Sequence, residues 1–349
     1  MSTKHTIARA GDPDSGSSSG IVRVPIQEAR ALGEKALRGT GYAAEDTAII
    51  VDNLLDADLC GYRGSGLAKI LPILDDPRTS LAHRPPVVTH ETDASALIDG
   101  GNMLGYVPVY RAMQMAIDKA QKHRLATVGV YNAYFSGRNA YYLEKIAAAK
   151  LIGIQTCSGP PKVVPLGGIA PALGTNPIGI GMPSSRGPVI FDLSTAAMRF
   201  SETAVRGHLN EPLPEGVAVD ALGQPTRSAK QALEGGFLPF GGHRGYALSI
   251  AVQAFGLLAG ANRARGRVQD FGFLFVVFDP ALLIPTDEFQ RDLAELIDRI
   301  KATRRAPGCD EIRIPSERAF RERERNRKKG TVPLHRKVYE ALASISKNE

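Results

Sequence analysis

The sequence predicts a mixed α/β protein of the α+β kind, and three observations carry that prediction. Apolar residues recur at helical spacing near both ends of the chain. In the middle, short β-rich runs alternate with helical segments, and no Gly-x-Gly-x-x-Gly turn follows any strand-like run. The first two observations require both element types. The third removes the doubly wound dinucleotide fold, so a dinucleotide site here would be built differently. With 349 residues, the chain is long enough for two domains of about 150 residues each.

From Val22 to Leu74 the apolar positions fit two or three amphipathic helices. Ile26, Ala29, Ala31, Leu32 and Ala36 belong to one, and Ala48, Ile49, Val51, Leu54, Leu55 and Leu59 to the next. Gly41 separates them, and Gly61-Tyr62-Arg63-Gly64-Ser65-Gly66 is a glycine-rich loop before the short apolar segment Leu67 to Leu74. Val87 to Ile98 is strand-like, Asp99-Gly100-Gly101-Asn102 supplies turn residues, and Val107 to His123 returns to helical spacing. Ala126 to Tyr131 and Leu151 to Thr156 are β-rich runs flanking a helix over Arg138 to Lys150. Between Pro160 and Pro188, proline, glycine and small residues predict loops whose backbone N–H groups approach a ligand closely. A strand at Pro188 to Leu193, a helix near Ser194 to Gly207, a glycine turn at Gly241 to Gly245, a helix over Tyr246 to Leu258 and a buried strand at Phe273 to Phe278 follow. Asp287 to Lys301 then reads as an amphipathic helix with Phe289, Leu293, Leu296, Ile297 and Ile300 on one face, capped by Thr286 or Asp287.

Composition narrows the function classes. A chain that is 43% hydrophobic and 23% charged has ordinary globular usage, not that of a disordered or fibrous protein. No apolar run approaches the roughly 18 residues of a membrane span, and polar Met1 to Gly20 has no signal-peptide character. Three cysteines without metal or redox spacing predict a cytoplasmic protein with reduced thiols. The formal charge is +7, and residues 301–330 concentrate it, with eleven lysines and arginines against five acids. The alternating signs of Arg321 to Lys329, without interleaved aromatics, predict a solvated helix and not a nucleic-acid arm. Gly16-Ser17-Ser18-Ser19-Gly20 matches Gly-x-Ser-x-Gly, but lies in a low-complexity tail with no strand before it. Neither a phosphate-loop motif nor a zinc pattern occurs, so no metal site is expected.

Several runs in the middle of the chain then become recognisable: Asp99-Gly100-Gly101-Asn102-x-Leu104-Gly105, Pro165-Leu166-Gly167-Gly168, Leu173-Gly174-Thr175-Asn176-Pro177, Leu213-Pro214-Glu215-Gly216 with Asp220, and Leu238-Pro239-x-Gly241-Gly242-His243-Arg244-Gly245-Tyr246. In this order and spacing they resemble the malate/L-lactate dehydrogenase family of the non-Rossmann type, to which ureidoglycolate, sulfolactate and Δ1-piperideine-2-carboxylate/pyrroline-2-carboxylate enzymes belong. Arg305-Ala306-Pro307-Gly308-x-Asp310-Glu311-Ile312-x-Ile314-Pro315-x-Glu317 is similar to the family's closing signature.

The resemblance implies a homodimer acting on a small-molecule substrate, with hydride exchanged between NADH or NADPH and a small 2-oxo acid or cyclic imino acid. It implies a largely antiparallel sheet in a nicotinamide-binding domain at 96–285, a helical dimerisation domain from 22–95 with 286–349, and a disordered tail at 1–21. Gly167, Gly168, Gly174, Thr175 and Asn176 would cradle the cofactor's phosphates through backbone N–H groups. Asp192 and Thr195 match the family's Asp-x-x-Thr-Ser segment, with Ala196 replacing its Ser, and His243, Arg244 and Gly245 lie in its glycine turn.

The catalytic positions depart from the pattern. Where the family carries Gly-His-x-Ser-His-Gly, this chain has Gly61-Tyr62-Arg63-Gly64-Ser65-Gly66, and Ser65 stands at the proton-handling histidine. The carboxylate-gripping Arg is Lys69, and a following Tyr is Ile73. The second family histidine aligns with Phe135 in Asn132-Ala133-Tyr134-Phe135-Ser136-Gly137, and Thr-Asn-Ser becomes Thr156-Cys157-Ser158. Replacement donors come from Ser65, Tyr62 and Lys69 first, then Tyr134, Ser136 and Cys157. A carbonyl needs a proton donor at its developing alkoxide, whereas hydride addition to a protonated imine creates no alkoxide. The leading expectation is an NAD(P)-dependent oxidoreductase with a remodelled site, favouring an imino acid. The runner-up is a family-derived protein that no longer transfers hydride.

Overall fold

The computed structural model describes residues 20–208, 210–264 and 268–345. Strand β1 (Ile21–Pro25) leads into helices α1 (Ile26–Ala36), α2 (Ala44–Leu59) and α3 (Ile70–Leu74). Next come β2 (Val87–Glu91), β3 (Ser95–Leu104), α4 (Tyr106–His123), β4 (Leu125–Tyr134), α5 (Asn139–Ala148), β5 (Ile152–Ser158), β6 (Ile178–Met182) and β7 (Val189–Leu193). The chain continues through α6 (Phe200–His208), β8 (Ala218–Val219), α7 (Ala229–Glu234), β9 (Gly236–Phe237), α8 (His243–Leu258) and β10 (Gly272–Phe278). It ends with α9 (Thr286–Lys301), α10 (Glu317–Lys328), β11 (Thr331–His335) and α11 (Arg336–Ile345). The expected N-terminal tail and the Gly16 to Gly20 match lie, up to residue 19, outside the described residues.

A seven-stranded sheet runs in the order β2-β3-β4-β10-β5-β6-β7. Every neighbouring pair is antiparallel except β3 and β4, whose parallel pairing needs the α4 crossover between them. The strand expected at Phe273 to Phe278 is its middle: Phe273, Phe275 and Val277 are fully buried. Helices cover both faces. Ile146 of α5 packs on Gly153 and Gly256 of α8 packs on Ser158; five residues apart on β5, Gly153 and Ser158 point to opposite sides.

Several expectations change because pairing partners distant in sequence override local pattern. Residues 21–25, placed at the start of a helical stretch, form β1 because they pair with Thr331–His335. The strand expected over Val87 to Ile98 is a hairpin, β2 to β3. Asp99-Gly100-Gly101-Asn102 does not end it. These residues bulge within β3, shifting the register between Asp99 and Met103, with Gly101 and Asn102 at positive φ. The helix expected from Ser194 starts only at Phe200, because Ser194 and Thr195 bond to Thr175 O. The loop-rich stretch Pro160 to Pro188 contains β6. Helix α9 takes no cap from Thr286 or Asp287: Pro285 precedes it, and Thr286 Oγ1 donates to Asp279 instead. Strand β2, on the N-terminal side of the boundary expected at 95/96, hydrogen-bonds into the large sheet.

The two chain ends meet through β1 and β11, and a buried charge cluster ties them to the sheet. Asp56 on α2 accepts from Arg138 (3.2 Å), just before α5, and from Arg323 of α10 (3.0 Å). Arg323 also reaches Glu144 of α5 at 2.5 Å. Burial raises the Glu144 pKa, and its two carboxylate neighbours hold the Arg323 pKa above its usual value. Asn326 of α10 adds a bond to Leu59 O at 2.9 Å. Removing one partner from such a group leaves an uncompensated buried charge. Arg323→Leu should therefore cost about 3 kcal/mol in chemical denaturation, while Arg321→Leu, on an exposed side chain, should cost under about 1 kcal/mol.

A second packing constraint gives a substitution of predictable sign. A Cβ on Gly256 would overlap Oγ and Cβ of Ser158, and that hydroxyl bridges Asp270 O (2.7 Å) and Gly272 N (3.1 Å). Gly→Ala in a helix ordinarily gains up to about 1 kcal/mol, but overpacking costs about 1–3 kcal/mol. Gly256→Ala should lower the denaturation midpoint, and an unchanged or higher midpoint would contradict this packing.

Candidate active site

Strand direction gathers the motifs at one edge of the sheet. Tyr131, Gly272 and Ser158 stand in one row across β4, β10 and β5, Thr156 pairs with Ile178 at the start of β6, and Ile178 pairs with Leu193 at the end of β7. The loops leaving this edge therefore carry Phe135, Phe271, Asn176 and Thr195. Positions spread from Tyr131 to Gly272 become neighbours.

Phe135 stands where the family pattern has a histidine, in the left-handed region at φ 55°, a conformation uncommon for a bulky residue and concentrated at functional loops. Two cations gather on its ring: the Arg78 guanidinium lies 4.7 Å from the centroid and Lys69 Nζ lies 5.9 Å away. Arg78 also stacks 4.7 Å from Tyr134 and 5.6 Å from Phe271. Asp76 holds it through Nε to Oδ1 at 2.9 Å and Nη2 to Oδ2 at 2.6 Å. Thr79 Oγ1 lies 3.3 Å from the Tyr134 hydroxyl. Lys69 has no ion-pair partner among the described residues, and burial alone lowers its pKa. A desolvated ammonium without an acid is prepared for an anion.

The other donor candidates separate. Ser65 ends a single turn, Arg63–Ser65, and among the described residues no group hydrogen-bonds to its half-buried hydroxyl. That turn is fixed from below: Asp58 accepts from Leu67 N at 2.7 Å, and a Cβ on Gly66 would overlap the same carboxylate. Tyr62 has Arg138 over its ring at 4.5 Å, so it belongs with the Asp56 cluster. Tyr142 OH donates to Ser136 O at 2.6 Å. Burial pushes the Cys157 thiol up to about 12 and the Cys60 thiol up to about 11, so neither is a ready thiolate.

The dinucleotide candidates form a second group at the same edge, linked by backbone bonds: Val163 N to Leu173 O (2.8 Å), Thr195 N to Thr175 O (3.1 Å) and Phe240 N to Thr195 O (3.0 Å). Asn176 is buried, and its Nδ2 donates to Ser249 O (2.9 Å) and Gln253 Oε1 (3.0 Å). Gln253 also takes Gly174 N at 3.2 Å. Asn176 thus spends its side-chain amide on holding the loop to α8, while Thr195 Oγ1 donates to Thr175 O within the loops. Asp192 accepts from Ala140 N in the first turn of α5 at 3.0 Å. Gly167 and Gly168 lie exposed on their loop. His243 and Arg244 are exposed in the first turn of α8, where unpaired helix N–H groups attract phosphate, and Gly245 packs beneath on Phe240.

These residues fit a nicotinamide dinucleotide. A Cβ at Gly167, Gly241 or Gly242 would meet nothing within 4 Å, which leaves the backbone open to a close ligand. Asn176 Oδ1 and Thr156 Oγ1 are buried without a hydrogen-bond partner, and strand pairing places them at the same end of β5 and β6. Arg78, Asp76 and Thr79 lay outside every motif, and only folding brings that turn onto Phe135. A cleft of about 420 Å3 beside Asp56 is lined by Arg30, Asp52, Glu144 and Arg323, whose charges pair with one another. Among the described residues no group of three or more His, Cys, Asp or Glu could hold a metal, and no helix is long and apolar enough to cross a membrane.

Comparison with known proteins agrees with this geometry. Residues 24–343 match the family described as malate/L-lactate dehydrogenase. The malate/(S)-sulfolactate dehydrogenase of Methanothermus fervidus is 34% identical over 334 residues, 92% of this chain and 96% of that protein. The Δ1-pyrroline-2-carboxylate reductase of Ancylobacter novellus is 30% identical over 322 residues, 88% of this chain and 93% of that protein. The solved sulfolactate dehydrogenase of Methanocaldococcus jannaschii superposes with a TM-score of 0.82 at 30% identity, covering 94% of this chain and 97% of that one. With its largely antiparallel sheet, its glycine loops and this full-length similarity, the chain belongs to the malate/L-lactate dehydrogenase family, a dehydrogenase or reductase of hydroxy or oxo acids that uses a nicotinamide cofactor.

Proposed function

We propose that the protein is an NADH- or NADPH-dependent reductase of a small carboxylate substrate, with a cyclic imino acid preferred over a 2-oxo acid. The observation that carries this reading is Lys69, a largely buried ammonium without an ion-pair partner among the described residues, beside Phe135 where a proton-donating imidazole would otherwise stand. Lys69 grips the substrate carboxylate as a point charge, without the bidentate fork of an arginine. The bound cofactor supplies hydride to the substrate carbon. With an iminium substrate the nitrogen carries its proton beforehand and, as the carbon takes the hydride, the C=N pair becomes the lone pair of the retained amine, so no side chain has to protonate an alkoxide. For a carbonyl, the Ser65 hydroxyl, at the position expected for the proton-handling histidine, is the proposed donor, a weak acid for the task. The similarity to a Δ1-pyrroline-2-carboxylate reductase supports the same preference.

Gly167, Gly168, Gly174, Thr175, Asn176, Asp192, Thr195, His243, Arg244 and Gly245 are the proposed cofactor residues, either as backbone donors or as supports of the loops that present them. The working form is proposed to be a cytoplasmic homodimer. Ile250, Phe255, Leu257 and Leu258 of α8 are all at least 41% exposed and Leu283 is 90% exposed, more clustered apolar surface than a monomer ordinarily presents.

Titration of NADH and NADPH, read by the cofactor's own fluorescence since the chain has no Trp, should show saturable binding of at least one. Binding of neither to folded protein would remove the reading and favour a family-derived protein without hydride transfer. Restoring both imidazoles with Ser65→His and Phe135→His should raise 2-oxo-acid reduction by about 100-fold and imino-acid reduction far less; equal gains would show that protonation is not what separates the substrates. Because burial lowers the Lys69 pKa, the ammonium is lost as pH rises, at a lower pH than for an exposed lysine. KM should therefore rise on the alkaline side, and Lys69→Arg should abolish that rise, since a guanidinium stays charged there.

A further inference from the structure

We infer that the Asp76–Arg78 pair, stacked on Phe135, makes the substrate pocket selective for substrates with a single anionic group on an apolar body over those with two. The inference rests on the reading of Lys69 as the carboxylate grip and names the residues that set the charge class of the substrate.

The argument begins with charge. A substrate such as malate or sulfolactate carries two negative groups, and a pocket that accepts it needs two uncompensated positive charges or equivalent donors. At Phe135 two cations are present, but they are not equivalent. Lys69 has no acid partner among the described residues, whereas Arg78 is engaged by both oxygens of Asp76, at 2.9 and 2.6 Å. The Asp76 carboxylate also accepts from the Arg78 backbone N–H at 2.8 Å, which fixes it to its own turn. Both side chains of the pair are largely buried, at 16% and 13% exposure, so solvent does little to screen them. A second anion brought to Arg78 would approach the Asp76 carboxylate, and that repulsion would act at low dielectric.

Shape points the same way. The guanidinium is covered by Tyr134, Phe135 and Phe271 at 4.7, 4.7 and 5.6 Å. What remains near Lys69 is the Phe135 ring, a wall suited to an aliphatic ring or chain and poorly suited to a second carboxylate or a sulfonate. An imidazole at this position would offer a donor to such a group; the phenyl ring offers none. Arg78 therefore acts through Phe135 and Asp76 as a positioning and specificity residue, holding the aromatic wall in place while adding little net charge.

Asp76→Asn keeps the shape of the turn and unmasks the guanidinium. In the parent, kcat/KM for Δ1-pyrroline-2-carboxylate should exceed that for oxaloacetate. In Asp76→Asn the ratio should move toward oxaloacetate by about tenfold, as expected for one added buried charge. Binding of two unreactive acids, cyclopentanecarboxylate and malonate, measured by calorimetry on the dinucleotide-loaded protein, provides a readout independent of turnover. The variant should gain affinity for malonate and not for cyclopentanecarboxylate. Arg78→Leu, which removes the guanidinium held by Asp76, should weaken both acids, with thermal melting used to verify that it folds. A parent that binds malonate as well as cyclopentanecarboxylate, or an Asp76→Asn protein with an unchanged preference, would overturn the inference. Selective binding of the monoanion without any turnover would uphold it and overturn the hydride-transfer reading instead.

Discussion

The Asp56 carboxylate, buried between Arg138 and Arg323, is the contact on which the arrangement of the rest depends. It joins a helix from the first sixth of the chain, the start of α5 on the sheet, and a helix from the last tenth. Each of these ions would be costly to bury alone, and together they are tolerable only in this geometry. The same Arg138 lies over Tyr62, so the cluster also sets where the glycine-rich loop leaves α2. Phe135 is three residues before Arg138. The loop bearing Ser65 and Lys69 and the strand end bearing Phe135 thus share one anchor.

Beyond that anchor, the site is a consequence of strand direction. Antiparallel neighbours place the end of one strand beside the beginning of the next, and the order β4-β10-β5-β6-β7 lines up five such ends. The proposed substrate-facing half, built on Lys69, Phe135 and the neutralised Asp76–Arg78 pair, and a backbone-lined half, built on the 163–177 and 238–245 segments, face the same edge. The division of labour is chemical. Fixed N–H groups and glycine suit a phosphate-bearing cofactor, while desolvated cations suit a small carboxylate.

The basic C-terminal segment acquires a structural role in this arrangement. Arg321 pairs with Glu311 and Glu317, Arg323 with Asp56 and Glu144, Arg325 with Glu322, and Lys328 with Glu324. Much of its charge is spent on acids of the same fold. By contrast, α8 buries Gly245, Ser249, Val252 and Gly256 on the sheet and leaves larger apolar side chains outward. Its small residues allow close approach to the sheet; its large ones face away.

The amino-acid sequence by itself determined the mixed fold class, the central strand Phe273 to Phe278, helices α5, α8 and α9 to within a few residues, and the family. These are legible because hydrophobic period and motif spacing are local properties. What only the tertiary structure decided was long-range. Strand β1 exists because residues 331–335 return to pair with it, and Asp99 to Asn102 bulge within a strand because β4 continues past them to pair with Met103 and Leu104. Tyr62 and Lys69, seven residues apart, went to different clusters, because one side chain found Arg138 and the other Phe135. Arg78 carried no motif and no periodic signal; its place over Phe135 comes from a turn held by its own Asp76 and from aromatic rings contributed by two distant strands. Pairing energies between residues far apart in the chain are invisible to local pattern, and they are what turned a set of recognisable loops into one site.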